Sequence, residues 1–429
     1  MSVHSFSRRA TVVAAATLLL AATACGSGDN GDDAAAGVTT IEWWHIQNTE
    51  PMLPVWQALA DDYMRQHQDV KITITPLENE AYKARLTTVT QAGDPPDIFH
   101  TWGGGVLKQQ IEAGLVKDIT ADVGSWIDTV APTALEPYQV DGKTYGIPFD
   151  LGMVGFWYNK ALFSTAGIAE PPATWSGFLD AIEKLKAAGI TPIALAGQAK
   201  WPGHFYWSYL AMRLGGADAI SKAAEAKSFD GTEFVEAGRR LRELVDRQPF
   251  QDGFLGAPFD TPDGEAAAMG NGQVAMELQG QWAPGVQREQ SGKDLGDDLG
   301  FFAFPEVDGG KGAVTDVFGG GNGFAVGRDA PPAAVDFLKF ISQAENHRKA
   351  VATGVVLPVI EGTEEAVDDP RAAAVAATLA EATGFQLYLD QAFAPAVGQT
   401  VNDSVAALIA GTMSPEDVTR AITAAAQGQ

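Results

Sequence analysis

The sequence predicts an α/β protein in two parts. Three observations carry that expectation. Apolar, β-rich runs alternate with segments of helical spacing, the connections between them are short, and 429 residues exceed what one compact core usually supports. A hydrophobic share of 46% and a charged share of 19% are those of an ordinary globular chain, which excludes wholesale disorder and collagen-like structure. Alternation of this kind implies a parallel sheet covered on both faces, whose ligands bind at the carboxyl ends of its strands.

The elements follow in order. Thr39 to Ile46 (TTIEWWHI) reads as a strand, and Met52 to His67 has helical spacing in Trp56, Leu59, Ala60 and Tyr63. Val70 to Thr75 alternates as a strand, Ala81 to Thr90 reads as a helix, and Asp97 to Thr101 follows Asp94-Pro95-Pro96 as a third strand. Lys108 to Glu112 is helical and ends at Gly114. A second α/β region begins near Pro148: helix Phe178 to Ala188, strand Ile190 to Ala196, helices Phe205 to Leu214, Phe234 to Arg247 and Gly264 to Met269, then strand Gln273 to Leu278. Further helices are predicted over Ala333 to Gln343, Asp369 to Ala382, Gly398 to Ile409 and Pro415 to Ala425. Gly319 to Gly323 (GGGNG) precedes the strand Phe324-Ala325-Val326, so no helix N-terminus is available there to hold a phosphate; it reads as a close-approach loop.

Charge and cysteine content narrow the function. With 29 basic and 54 acidic side chains the chain carries −25, and nucleic acid or an anionic membrane leaflet would repel it. One cysteine, Cys25, excludes an intramolecular disulfide and any CxxC site. The six histidines, His4, His45, His67, His100, His204 and His347, never stand three or four residues apart, so a HExxH-type zinc site is absent. There is no GxSxG elbow and no GxxxxGK[ST] loop. No cofactor or metal is expected.

The N-terminus reads as an address. Arg8 and Arg9 precede an uncharged run from Ala10 to Ala24, which is too short to span a bilayer and fits a secretory signal over residues 1–24. Its exit, Ala22-Thr23-Ala24-Cys25, resembles the bacterial lipobox, although Ala22 stands where that pattern prefers Leu. An ordinary cleavage site beside a free cysteine is the alternative. Gly26 to Gly37 is polar and glycine-rich, suited to a tether behind a lipidated Cys25. Loss of residues 1–24 would leave 27 basic and 54 acidic groups, or −27.

Candidate binding residues gather at predicted strand ends. Trp102 follows the third strand directly and precedes Gly103-Gly104-Gly105, Trp201 sits in Lys-Trp-Pro-Gly, and Trp282 follows a strand through Gln279-Gly280-Gln281. Flat apolar rings on open loops suit the C–H faces of sugars, and neighbouring amides and carboxylates suit their hydroxyls. Gln47, Glu50, Glu80, Asp150, Gln281 and Asn322 supply such groups, with His45 at the end of the first strand and His204 just past Trp201. Trp56 and Trp207 fall within helical runs and read as core.

Together these features resemble the extracellular solute-binding lipoproteins that serve ABC sugar importers, the maltose-binding-protein-like group. The matching blocks are Ala92 to Ile98 (AGDPPDI), Tyr145 to Asp150 (YGIPFD), Trp157 to Lys160 (WYNK) and Gly280-Gln281-Trp282. Phe301 to Phe304 with Pro305 is similar to the family's second return strand, and Val335 to Ile341 to the helix after it. The resemblance implies a two-lobe periplasmic-binding-protein type II fold, with interleaved lobes joined by crossover strands around a cleft. One lobe would be 38–147 with 305–345, the other 148–304 with 346–429. The resemblance makes Asp150 and Trp102 sugar contacts and Tyr388 the second lobe's aromatic. It further implies a monomer that closes on an oligosaccharide, delivers it to ABC permease subunits and performs no catalysis. Trp43-Trp44-His45 and Trp102-Gly103-Gly104 are similar to xylo-oligosaccharide binders of actinobacteria, whereas chito-, malto- or galactosyl ligands would need only small pocket changes. The competing reading is a surface-anchored glycosidase using Glu80 and Asp150 as its carboxylate pair.

Overall fold

The structure, a computed structural model, describes residues 37–428; the expected signal segment 1–24 and Cys25 lie outside the described residues. Strands β1 (Thr39–His45), β2 (Val70–Pro76) and β3 (Ile98–Thr101) pair in parallel with β1 in the middle. The alternation of β1 sends Trp43 to one face and Trp44 to the other, and each nucleates a separate apolar cluster. On the first face the helix Met52–Gln66 buries Met52, Trp56, Leu59, Ala60 and Tyr63, a single stripe at helical spacing. The Trp43 ring meets Trp56 edge-on at 5.6 Å and Phe324 at 5.1 Å.

A short hairpin, β4 (Gln139–Val140) and β5 (Lys143–Thr144), leads to β6 (Gly146–Met153), which is buried along its whole length. β7 (Gly155–Asn159), β8 (Thr191–Ala194), β9 (Val274–Gln279) and β10 (Leu299–Phe302) form a second sheet in the order β10-β7-β9-β8. The long β11 (Asp316–Val326) then returns to the first sheet, antiparallel to both β3 and β6, and β12 (Gly384–Leu387) closes that sheet's edge beside it. Both sheets are covered on both faces, as expected, but neither is purely parallel. β11 runs against both β3 and β6, and β7 runs against both of its neighbours.

The helix Trp201–Gly215 is enclosed on nearly every side, and its Arg213 is 1% exposed. The guanidinium donates to the carbonyls of Phe304, Pro305, Val314 and Asp316, so carbonyl dipoles replace the water it loses. This fixes the stretch 305–315 to the second sheet's helices, and passage to the first sheet begins only with β11. The helix Ala344–Val351 instead packs against Met52–Gln66, with Ala350 and Val351 in the first sheet's core. The glycine run 319–323 is not a loop. It lies inside β11, where a side chain on Gly320 would come within 2.6 Å of the Tyr388 ring and one on Gly323 within 2.5 Å of Tyr138. The close approach is real; the irregular backbone is not.

Candidate functional site

Two groups of side chains meet where Gly104, just past the carboxyl end of β3, abuts Leu387 and the Gln391 carbonyl. The first group comes from β1 and β3. His45 ends β1; His100 sits next to last in β3, one strand repeat before Trp102. The Trp102 ring is half-buried, edge-on to His100 at 4.7 Å and to Tyr82 at 6.1 Å, with Lys83 Nζ 5.6 Å from its centroid. The Tyr82 hydroxyl donates to the His100 carbonyl, which holds the end of β3. Gly103 and Gly104 both take positive φ, which a side chain would strain, and Gly104 abuts the Gln391 carbonyl of the opposite group.

Both imidazoles are sealed from solvent and none of their four nitrogens has a protein partner. Burial pushes His45 down to about 3, and burial with repulsion from His45 and Lys83 holds His100 well below the ordinary histidine range. Each is therefore a neutral ring with one donor and one acceptor unused.

The second group lies over β6 and β11. Trp282 is half-buried at the start of the helix Ala283–Ser291 and edge-on to Tyr388 at 6.3 Å. Tyr388 packs on Gly320 and stacks on Phe205 at 5.3 Å, its hydroxyl buried without a partner. The Oε1 atoms of Gln281 and Gln391 are buried and unpaired in the same way. Asn322 is half-buried on β11 and donates to Asp150. Other buried polar atoms, among them the ring N–H groups of Trp43, Trp56 and Trp207, also lack a protein partner, but those of His100, Tyr388 and Gln281 stand beside the half-buried rings of Trp102 and Trp282.

Several expected residues do other work. Trp201 is not on an open loop: it opens the helix Trp201–Gly215 and packs edge-on to Phe259 at 5.2 Å. His204 is fully buried in that helix, with Nε2 3.5 Å from Asp390 Oδ1. Burial opposes ionisation of Asp390, yet His204, Lys83 and Asn402 together hold it down at about 2. Glu80 is exposed and accepts from Asn79 and Lys83, and Glu50 is exposed at the edge of the site. Gln47 is half-buried with Oε1 unpaired, consistent with a place at the rim. Asp150 is 1% exposed and already accepts from three protein donors, so as a direct ligand contact it is displaced. The sequence reading missed His100, Lys83 and Gln391. Strand alternation puts His100 on the same side as Trp102 and could have found it; nothing local marks Gln391. Among the described residues no group of three or more His, Cys, Asp or Glu is arranged to hold a metal.

The family model for bacterial extracellular solute-binding proteins matches residues 48–348. The chain belongs to that family. It is 25% identical over 304 residues to the multiple sugar-binding protein of Streptococcus mutans, an alignment covering 69% of this chain and 67% of that one. The chain spans about two thirds of the length of the curated relatives it matches first. A solved structure from work on xylan utilisation by Caldanaerobius polysaccharolyticus superposes with a TM-score of 0.82 at 28% identity, covering 90% of this chain and 99% of that chain. A chitin oligosaccharide binding protein gives 0.83 at 25% identity, covering 91% and 98%. The fold is the two-lobe, maltose-binding type of this family.

Proposed function

We propose that this protein is the capture subunit of an ABC sugar importer, taking a neutral di- or oligosaccharide into the cleft and presenting the closed form to permease subunits. The observation that carries this is the pairing of half-buried Trp102 and Trp282 with unpaired neutral groups on His45, His100, Gln281 and Tyr388. Rings supply stacking on sugar C–H faces, and neutral donors and acceptors replace the water stripped from the hydroxyls. The names of the relatives and structural neighbours support the same class. Xylobiose or a xylo-oligosaccharide is the first choice, on the WWH and WGG blocks and the likeness to the xylan-utilisation structure; chito- and malto-oligosaccharides are the nearest rivals. Closure follows if the sugar gains contacts in the closed state that the open state lacks. Capture is favoured over the glycosidase reading because Asp150 accepts from three protein donors and Glu80 is paired with Lys83 on the surface.

The body is held outside the cell membrane by lipid on Cys25, with residues 26–37 as tether, and works as a monomer. Among the described residues no helix is long and apolar enough to cross a membrane. A thermal-shift panel of xylobiose, chitobiose, maltose, cellobiose and galactose tests the class. A ligand at 100 times its Kd adds about 2.7 kcal/mol to stability, which raises the unfolding midpoint measurably. No shift with any of these sugars, alongside one with acidic or cationic solutes, rejects the proposal. Release of new reducing ends from the sugars would restore the hydrolase.

A further inference from the structure

Asp150 lies on β6 opposite Asn322 of β11, at the point where the register of the two strands slips and leaves Phe149 without a partner. Its Oδ1 accepts from the Leu357 backbone at 2.8 Å, and its Oδ2 from Gln281 Nε2 at 2.6 Å and Asn322 Nδ2 at 3.0 Å. The three donors stand 207, 131 and 172 residues away in sequence. They belong to three different stretches: the chain between the helices Ala344–Val351 and Pro370–Ala380, the loop before Trp282, and β11. One carboxylate thus ties β6 to the other crossover strand, to the segment at 357 and to the second lobe's rim.

The chemistry fixes which way Gln281 points. A carboxylate only accepts, so the amide nitrogen must face it and Oε1 must face away. Oε1 then lies against Gly152, where any side chain would collide with the amide, and finds no protein donor. Gln281 is held at its amide nitrogen by Asp150 and confined at its oxygen by Gly152, and the next residue is Trp282. The geometry points to Asp150 as a positioning residue that acts through Gln281 to set the bearing of Trp282, and not as a ligand contact. Its consequence for sugar affinity rests on the capture reading above. Asparagine at this position is the same size but has one acceptor oxygen and turns an N–H toward a donor, so it cannot serve all three partners.

The test begins without ligand. In the 15N-labelled protein the Gln281 side-chain amide pair, identified by its absence in Gln281→Ala, should exchange slowly with solvent. Asp150→Asn should speed that exchange at least tenfold and shift the Trp282 indole N–H resonance. An amide and an indole that both stay put overturn the assignment. Should Asp150→Asn fail to fold, Gln281→Met, which cannot donate to Asp150, must by itself move the indole resonance; an unmoved indole again sinks the idea. With xylobiose as probe, the affinity losses of Asp150→Asn and Gln281→Met should fail to add, the double variant binding within twofold of the weaker single. Fully additive losses count against action through Gln281. Xylobiose and the other panel sugars leaving the wild type unmoved would reject the capture reading, while the amide and indole signals still decide the role of Asp150.

Discussion

Trp102 and Trp282, like Trp126 and Trp201, keep part of the ring uncovered, and each has its edge held by a neighbour at a strand's end. Trp43, Trp56, Trp157 and Trp207 are fully buried, and their loss would open cavities in the core. Truncating Trp102 or Trp282 should instead weaken sugar binding by about tenfold or more, the worth of roughly 1.4 kcal/mol. The ligand-free unfolding midpoint should move by no more than a few degrees. Calorimetric titration and a thermal scan of each alanine variant separate the two effects. The half-exposed setting of Trp102 and Trp282 was legible because a bulky ring beside glycines at a strand's end has few packing uses. Asp150 was misread for a physical reason: its three hydrogen-bond donors come from the far side of the chain, and no local pattern signals them. His204 was misread likewise, since its helix is buried on every face and offers no amphipathic contrast.

At the scale of elements, β11 is the least typical strand and the most consequential. Glycine weakens a strand interior, which is why GGGNG reads as a loop, yet here tertiary crowding demands it. Gly320→Ala should force the Tyr388 ring aside and destabilise the protein by about 1–3 kcal/mol, read as a lower unfolding midpoint; weaker sugar binding should accompany it, because the displaced ring leaves its place against Trp282. Arg213 anchors the chain just before β11. Arg213→Met should cost roughly 3 kcal/mol or more, because several buried carbonyls lose their donor together; a denaturation midpoint close to wild type would refute that role. The longer helices and the first three strands were legible from periodicity and from the proline and glycine that bound them. Short helices such as Lys160–Thr165 and Ala219–Glu225 were not, because two turns or fewer give no period to read.

The whole molecule carries buried acids and buried histidines that pull stability in opposite directions with pH. Glu265 and Glu277 sit in the second lobe, both sealed from solvent, with Gln279, Gln287 and the Ala196 amide as donors. Burial pushes Glu265 up to about 8 and, with Glu265 beside it, Glu277 well above the carboxylate range. The folded state therefore binds protons that the unfolded state releases above about pH 4.5, and stability falls as pH rises from there through 8. Burial holds His45 at about 3, His347 at about 4 and His100 well down, so here the unfolded state binds more protons and stability falls as pH drops below about 6.5. The unfolding midpoint should peak between about pH 5 and 7 and decline on both sides. Glu277→Gln should flatten the alkaline limb and leave the acid limb in place. A scan from pH 4 to 9 in which the variant keeps the wild-type alkaline slope would show that the proton sits elsewhere.

The return of β11 to the first sheet also governs when this protein can fold. β3 is complete at Thr101, but its antiparallel neighbour starts at Asp316 and the sheet's edge strand only at Gly384. At a synthesis rate of 5–20 residues per second, β3 waits about 10–40 s for its partner. During that interval the edge of β3 that β11 later covers stays unpaired and the first sheet's core lacks Phe324 and Val326, while the second sheet's four strands are complete by Phe302. The delay is set by the strand order alone. Any fragment ending before residue 316 pays for it with an open sheet edge, ready to pair with another chain.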